Sequence, residues 1–167
     1  MVSTMCAQNS RKERGFTLTE IAVTLVIAAV VSAMALPSLS TLTRTNRVKQ
    51  SATDMVMTLA YARNEAINRN AQVSVVAFGT WSAGWQVVAG GTPLRLTALS
   101  GEVTVNGPAG NAVTYNPDGR LAGLTSLSFV FSVAGNSEVL RRCVSATLMG
   151  QPVLQTDVNR DGDCSNG

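Results

Sequence analysis

FTLTEIAVTLVIAAVVSAMAL, residues 16–36, is a run of 21 positions with one charge, Glu20, and neither glycine nor proline. As a helix it rises about 30 Å, the thickness of a bilayer's hydrocarbon core. It is too long for the apolar region of an ordinary secretory signal, about 7–15 residues, and no small-residue cleavage site comes after it. Arg11, Lys12 and Arg14 stand just upstream. Positive charge ahead of an apolar span stays cytoplasmic and orients the downstream chain. The pattern points to a cut on the other side, between a basic leader, residues 1–15, and the apolar run.

Glu20 is the residue a plain membrane span does not explain, because an ionised carboxylate inside an apolar helix needs a partner. Two readings are open. It lies near the interface and reaches the headgroups, or it pairs with a positive group on a neighbouring subunit. A cut before Phe16 would create such a group, a free amino terminus.

Pro37 follows the apolar run. Its ring clashes with the carbonyl four residues back and it has no N–H to donate, so the helix either kinks there or stops. Beyond it the helical period persists. Val48, Ala52, Met55, Leu59, Ala62 and Ala66 are spaced 4, 3, 4, 3, 4 and form one stripe. Alanine at half of these positions favours close packing against a sheet. Arg44, Lys49, Asp54, Arg63 and Arg69 occupy the other face, and Asn68–Asn70 offers a cap at the helix end. Residues 37–70 are thus an amphipathic continuation of the helix begun in 16–36.

From residue 71 the period changes to two, and 71–167 reads as a β-rich domain. Candidate strands are Gln72–Phe78, Gly84–Val88, Glu102–Val105, Ala112–Tyr115, Ser126–Val133 and Val139–Leu148, divided by glycine, proline and asparagine clusters. Asn116-Pro117-Asp118-Gly119 is a turn, in which proline presets φ and glycine supplies a positive one. The expected class is α+β, a long N-terminal helix packed on an antiparallel sheet. Phe78, Trp81 and Trp85 gather at one hairpin with no Lys or Arg between residues 70 and 94, which favours core packing over base stacking.

The sequence pI of 9.1 must be located before it is used. Of 13 basic and 10 acidic residues, the leader holds three and one, leaving ten and nine, a net of +1. The basic excess is mostly leader charge. Cys6 goes with the leader. Cys143 and Cys164 remain, and in an oxidising compartment an even pair most simply forms one disulfide, with two buried thiols as the alternative.

The segment RGFTLTEIAVTLVIAAVVSAMALP resembles the class III signal of type IV pilins and type II secretion pseudopilins. Gly15 stands before the cut, Phe16 is the new N-terminus, Glu20 is the fifth mature residue, and Pro37 falls where these families commonly have proline. LAYARNEAINRN, residues 59–70, and YNPDGR, residues 115–120, are similar to segments of the GspH/FimT family of minor pilins and pseudopilins. The resemblance implies a pilin-like fold, cleavage by the prepilin peptidase, N-methylation of Phe16, and assembly into a helical filament. There Glu20 would compensate a neighbouring subunit's amino terminus. It also implies a single pass through the bacterial inner membrane via 16–36, a periplasmic domain, and later residence in a filament at the cell surface. Its partners would be other major and minor pilins and an inner-membrane assembly platform. The expected role is a minor pilin priming or joining pilus assembly near the tip, with a type II secretion pseudopilin or a DNA-binding or adhesive pilin as alternatives.

Asp157, Asn159, Asp161 and Asp163, with Gly162, match the start of a calcium loop, although the chain ends before the bidentate glutamate of the full motif. Calcium in a C-terminal loop occurs in some pseudopilins, but the same residues also make an ordinary solvated turn. No other cofactor is expected. Nucleic acid is not an expected partner: Gly150-Gln151-Pro152-Val153 lacks both arginines of the Gly-Arg-x-Arg motif of some FimT-type pilins, and adjacent Arg141 and Arg142 would point to opposite faces of a strand. With no histidine, nucleophile elbow or phosphate loop, catalysis is not expected either.

Overall fold

The structure, a computed structural model, describes residues 15–99, 101–123, 126–161 and 164. The leader through Arg14, with Cys6, lies outside the described residues, as does Asp163 of the acidic loop. The chain divides into two compact units, Met1–Leu39 and Ser40–Gly167.

Among the described residues one helix, α1 (Leu18–Arg69), accounts for the helical sequence. It continues past Pro37, so of the two readings of that proline the one that ends the helix there does not hold. In the second unit the stripe Val48, Ala52, Met55, Leu59, Ala62 and Ala66 is completely buried, every member of it. α1 ends in the manner its Asn-Arg-Asn sequence suggests. Asn70 adopts a positive φ of 49°. Its N–H donates to the Ile67 carbonyl (3.2 Å) and the Ala71 N–H to the Ala66 carbonyl (3.2 Å). This is the Schellman pattern, which satisfies carbonyls that the last helical turn leaves unpaired.

Among the described residues eight strands follow: β1 (Val73–Phe78), β2 (Thr80–Ala89), β3 (Thr92–Ala98), β4 (Val103–Asn106), β5 (Ala112–Tyr115), β6 (Ser126–Val133), β7 (Arg142–Thr147) and β8 (Pro152–Thr156). They form two four-stranded sheets, in the orders β3-β2-β1-β5 and β4-β6-β7-β8, and every pairing is antiparallel. Gly90 and Gly91, with φ of 55° and 81°, make the tight turn between β2 and β3. Two consecutive positive φ values match the right-handed twist of the strands they join. The sheets meet at Ser82, whose Oγ accepts from the Val105 N–H (2.9 Å) and lies 3.3 Å from the Val105 carbonyl.

The buried faces of both sheets and the helix stripe share one core. Trp81 packs edge-to-face on Phe129 with centroids 4.8 Å apart, and its indole N–H donates to the Pro108 carbonyl (3.2 Å). Trp85 is fully buried against Phe131. Its indole N–H donates to Thr58 Oγ1 (3.1 Å), and that hydroxyl donates to the Asp54 carbonyl (2.7 Å). Both tryptophans are core residues, whereas Phe78, expected beside them, is partly exposed.

The strand pattern departs from the sequence reading at the sheet edges. β3 and β8 were not anticipated, β2 begins four residues before Gly84, and only Arg142–Thr147 of the expected Val139–Leu148 strand is extended. Val139 reaches the core from a turn instead, where Asn136 Oδ1 accepts the backbone N–H groups of Glu138 (2.9 Å) and Val139 (3.3 Å).

Candidate functional site

Gly15, Phe16 and Thr17 precede α1 without regular structure. Thr17 caps the helix. Its Oγ1 accepts the Glu20 N–H at 3.2 Å, and its carbonyl accepts the Glu20 and Ile21 N–H groups at 3.1 and 3.2 Å. Thr17-Leu18-Thr19-Glu20 is a threonine followed three residues later by glutamate, the spacing of a capping box. The Glu20 carboxylate therefore sits in the first turn, at the positive end of the helix dipole.

Along the same segment Leu18, Val23, Leu25, Val26, Ile27, Val30 and Val31 are all more than half exposed. Residues at this spacing cover every side of a helix, so no face is kept for an internal core. Its hydroxyls are turned inward on their own backbone: Thr24 Oγ1 donates to the Ile21 carbonyl (2.8 Å) and Ser32 Oγ to the Ala28 carbonyl (2.7 Å). The lateral surface that remains is apolar and has its hydroxyl donors satisfied, which a hydrocarbon or bundled-helix environment demands. Among the described residues no helix is long and apolar enough to cross a membrane. The expected span 16–36 includes residues 34–36, whose side chains lie outside the described set.

In the second unit the two remaining motif segments meet. Arg63, in LAYARNEAINRN, donates from Nε to the Gly119 carbonyl (3.0 Å) of the YNPDGR turn. That turn closes on itself through Gly119 N–H to the Asn116 carbonyl (2.8 Å), with Gly119 at a φ of 77°. A third segment completes the latch: the Tyr115 hydroxyl donates to the Gly150 carbonyl (3.1 Å). A Cβ on Gly150 would lie 2.3 Å from the Gly119 carbonyl oxygen and 2.8 Å from the Tyr115 ring, so only glycine fits. The helix end, the turn after β5 and the turn before β8 are locked together. Sequence reasoning found the first two as motifs and treated Gly150 only as the remnant of a DNA motif.

Burial raises the Tyr115 ionisation well above the ordinary phenol range, with Arg63 pulling the other way. The unfolded chain then loses this proton first, near pH 10. The latch's contribution is present below that pH and falls as pH rises beyond it. Tyr115→Phe is expected to cost about 1 kcal/mol at neutral pH and to flatten the loss of stability above about pH 10, as followed by urea unfolding across pH.

Cys143 and Cys164 are joined in a disulfide with their Cα atoms 6.0 Å apart. In the acidic loop Asp157 is fully buried and its N–H donates to the Arg141 carbonyl (3.1 Å). Asn159 Nδ2 donates to Asp161 Oδ2 (2.9 Å), so an amide donor faces the carboxylate that a calcium ion would need. Among the described residues no three acidic or cysteine side chains converge on one point. Gly162 and Asp163, which complete the expected loop, lie outside the described residues. Arg142 bonds Thr156 Oγ1, and Arg141 is exposed.

A largely exposed apolar helix start and a helix-on-sheet domain define a pilin-like subunit. Comparisons with known proteins agree. Residues 10–36 match the prokaryotic N-terminal methylation motif, and residues 51–150, more than half of the chain, match the family described as type II transport protein GspH. The chain belongs to the GspH family. The minor pilin FimU of Pseudomonas aeruginosa strain PAO1 is similar in structure, with a TM-score of 0.59 at 24% identity over 68% of this chain and 92% of that one. The minor pseudopilin EpsH from the type 2 secretion system of Vibrio cholerae is similar with a TM-score of 0.56 at 14% identity over 67% of this chain and 98% of that one. No curated protein matches the chain. The family span contains the whole latch, from Arg63 to Gly150.

Proposed function

We propose that this chain is a minor type IV pilin, made as a precursor, cut between Gly15 and Phe16, held in the bacterial inner membrane by its first helical segment, and then transferred into a filament. The observation that carries this reading is the segment from Phe16 to Val31: an apolar surface on every side of a helix, with one carboxylate in the first turn, ahead of a GspH-family domain. A helix of that character is stable in lipid or among like helices and in little else. The first environment stores the subunit and the second is the filament core. Glu20 compensates a neighbour's amino terminus there, and the partners are other pilins, the prepilin peptidase and an inner-membrane assembly platform. The part is structural, in priming or joining assembly near the tip.

The likeness to EpsH and the GspH family name favour a second reading, a minor pseudopilin of type II secretion. Deleting the gene separates the two, since loss of surface pili with secretion intact supports the first.

Glu20 allows a sharper test because its charge and its hydrogen-bonding capacity can be removed separately. Glutamine keeps the length and the hydrogen-bonding capacity but removes the charge, whereas alanine removes both. Glu20→Gln and Glu20→Ala are each expected to lower incorporation into sheared filaments at least tenfold, with leader cleavage unchanged on immunoblots. Normal incorporation of the glutamine variant would overturn the charge pairing.

A further inference from the structure

We propose that a cleft on the outer face of the second sheet binds an acidic sugar, a ring bearing hydroxyls and one carboxylate. The site goes beyond the filament reading and stands independently of it. Strand register locates the face. Phe129, Val144 and Leu154 lie opposite one another across β6, β7 and β8 on the core side. Asn106, Val130, Cys143 and Gln155, also mutually opposed, therefore share the side turned away from the core. Cys143 is buried on that side although it is not a member of the core. The chain after β8 returns to it, joined through the disulfide with Cys164. A cleft of about 600 Å³ lies between this returning chain, the turn after β6 and the sheet.

The cleft is rich in donors and carries positive charge. Arg141, just ahead of β7, and Arg160, after β8, line it from two sides, and both are exposed. Asp157, the one acidic residue lining it among the described residues, is fully buried. Glu138, beside the turn, is engaged elsewhere, its carboxylate accepting the Thr41 hydroxyl at 3.3 Å. Asn136 Oδ1 already accepts two backbone N–H groups, which leaves the amide N–H groups of that side chain to donate. Asn106, Ser132 and Ser137 add an amide and two hydroxyls, each able to donate and to accept.

These groups select the ligand. A guanidinium fork matches the planar geometry of a carboxylate. A bare oxyanion would use the arginines but not the amides and hydroxyls, and it would fill little of the space. The volume falls in the range of sites for larger ligands, about 300–1,000 Å³. An apolar ligand would meet only short side chains, three valines and an alanine. Among the described residues no aromatic ring lines the cleft, so charge and hydrogen bonds, not stacking, hold the occupant. A sugar acid supplies both halves, its hydroxyls to the amides and serines and its carboxylate to the arginines. Arg160 stands at a φ of 63°, in the left-handed region that asparagine adopts far more readily than arginine.

Every described core residue lies within Ser40–Gly167, so the excised unit keeps its whole core and serves for the test. Glucuronate and glucose share a ring and differ only in the carboxylate. Each is titrated into the isotope-labelled unit and followed by amide NMR at fixed ionic strength, with inorganic phosphate as a third arm. Glucuronate is expected to bind with a Kd of about 1 mM, to shift the amides of Arg160 and of the turn after β6, and to bind at least tenfold tighter than glucose or phosphate. Arg141→Gln should weaken it at least tenfold, since the Arg141 carbonyl still accepts the Asp157 N–H. Arg160→Asn should weaken it as much while the thermal midpoint holds or rises, because asparagine suits that backbone. Arg95→Gln, in β3 of the other sheet, should change nothing. No saturation below about 20 mM, glucose or phosphate binding as tightly as glucuronate, or an affinity unmoved by both cleft variants would each overturn the proposal and leave the pilin reading untouched.

Discussion

Trp85→Ala is expected to destabilise the unit Ser40–Gly167 by about 3–5 kcal/mol, the usual cost of deleting a buried tryptophan. The position supports the upper part of that range. Trp85 lies opposite Ala77 of β1 and Thr97 of β3, packs edge-to-face on Phe131 of the second sheet, and reaches Thr58 on α1. One side chain contacts both sheets and the helix. Its loss opens a cavity where three elements meet and leaves the buried Thr58 oxygen short of a donor. Whole-domain stabilities are about 5–15 kcal/mol, so the variant should unfold at markedly lower urea. Trp85→Phe separates the parts: it restores most of the packing but not the N–H, and should recover more than half of the loss. A phenylalanine variant as unstable as the alanine one would mean that the hydrogen bond to Thr58, not the packing, dominates.

The second large effect belongs to the disulfide. Cys143 and Cys164 are 21 positions apart, and closing a loop of that size in the unfolded chain stabilises the native state by about 3 kcal/mol. The double substitution C143A/C164A, or reduction, should lower the free energy of unfolding by about that amount and steepen its urea dependence, because the open unfolded chain exposes more surface. Urea titrations with and without reductant measure both. A reduced protein as stable as the oxidised one would mean that the tail is held by packing alone.

Most of the fold is legible wherever one face of an element is buried. The stripe from Val48 to Ala66 was readable because burial on one side of a helix imposes a period of 3.6, and all six residues are buried. Ser126–Val133 was readable because alternate residues reach the core. β3 and β8 were missed for the converse reason. Both are edges, largely exposed on both faces, so burial imposes no alternation on them. Gly84 was mistaken for the beginning of a strand. It lies within β2, where a Cβ would sit 2.4 Å from the Thr97 carbonyl oxygen, and that approach depends on a neighbouring strand the local pattern does not show. The candidate site divides in the same way. The Thr17–Glu20 cap and the YNPDGR turn are local and visible as spacing. The latch joins Arg63 to Gly119 across 56 positions and Tyr115 to Gly150 across 35, distances at which a single sequence carries no pairing signal.

The turn between β2 and β3 has a practical use. Gly90 and Gly91 stand where an added Cβ meets nothing within 4 Å, in contrast to Gly84, Gly119 and Gly150. An epitope or fluorophore inserted there would leave the helix and the latch untouched. The subunit could then be followed in living cells, by microscopy or antibody labelling, without altering either.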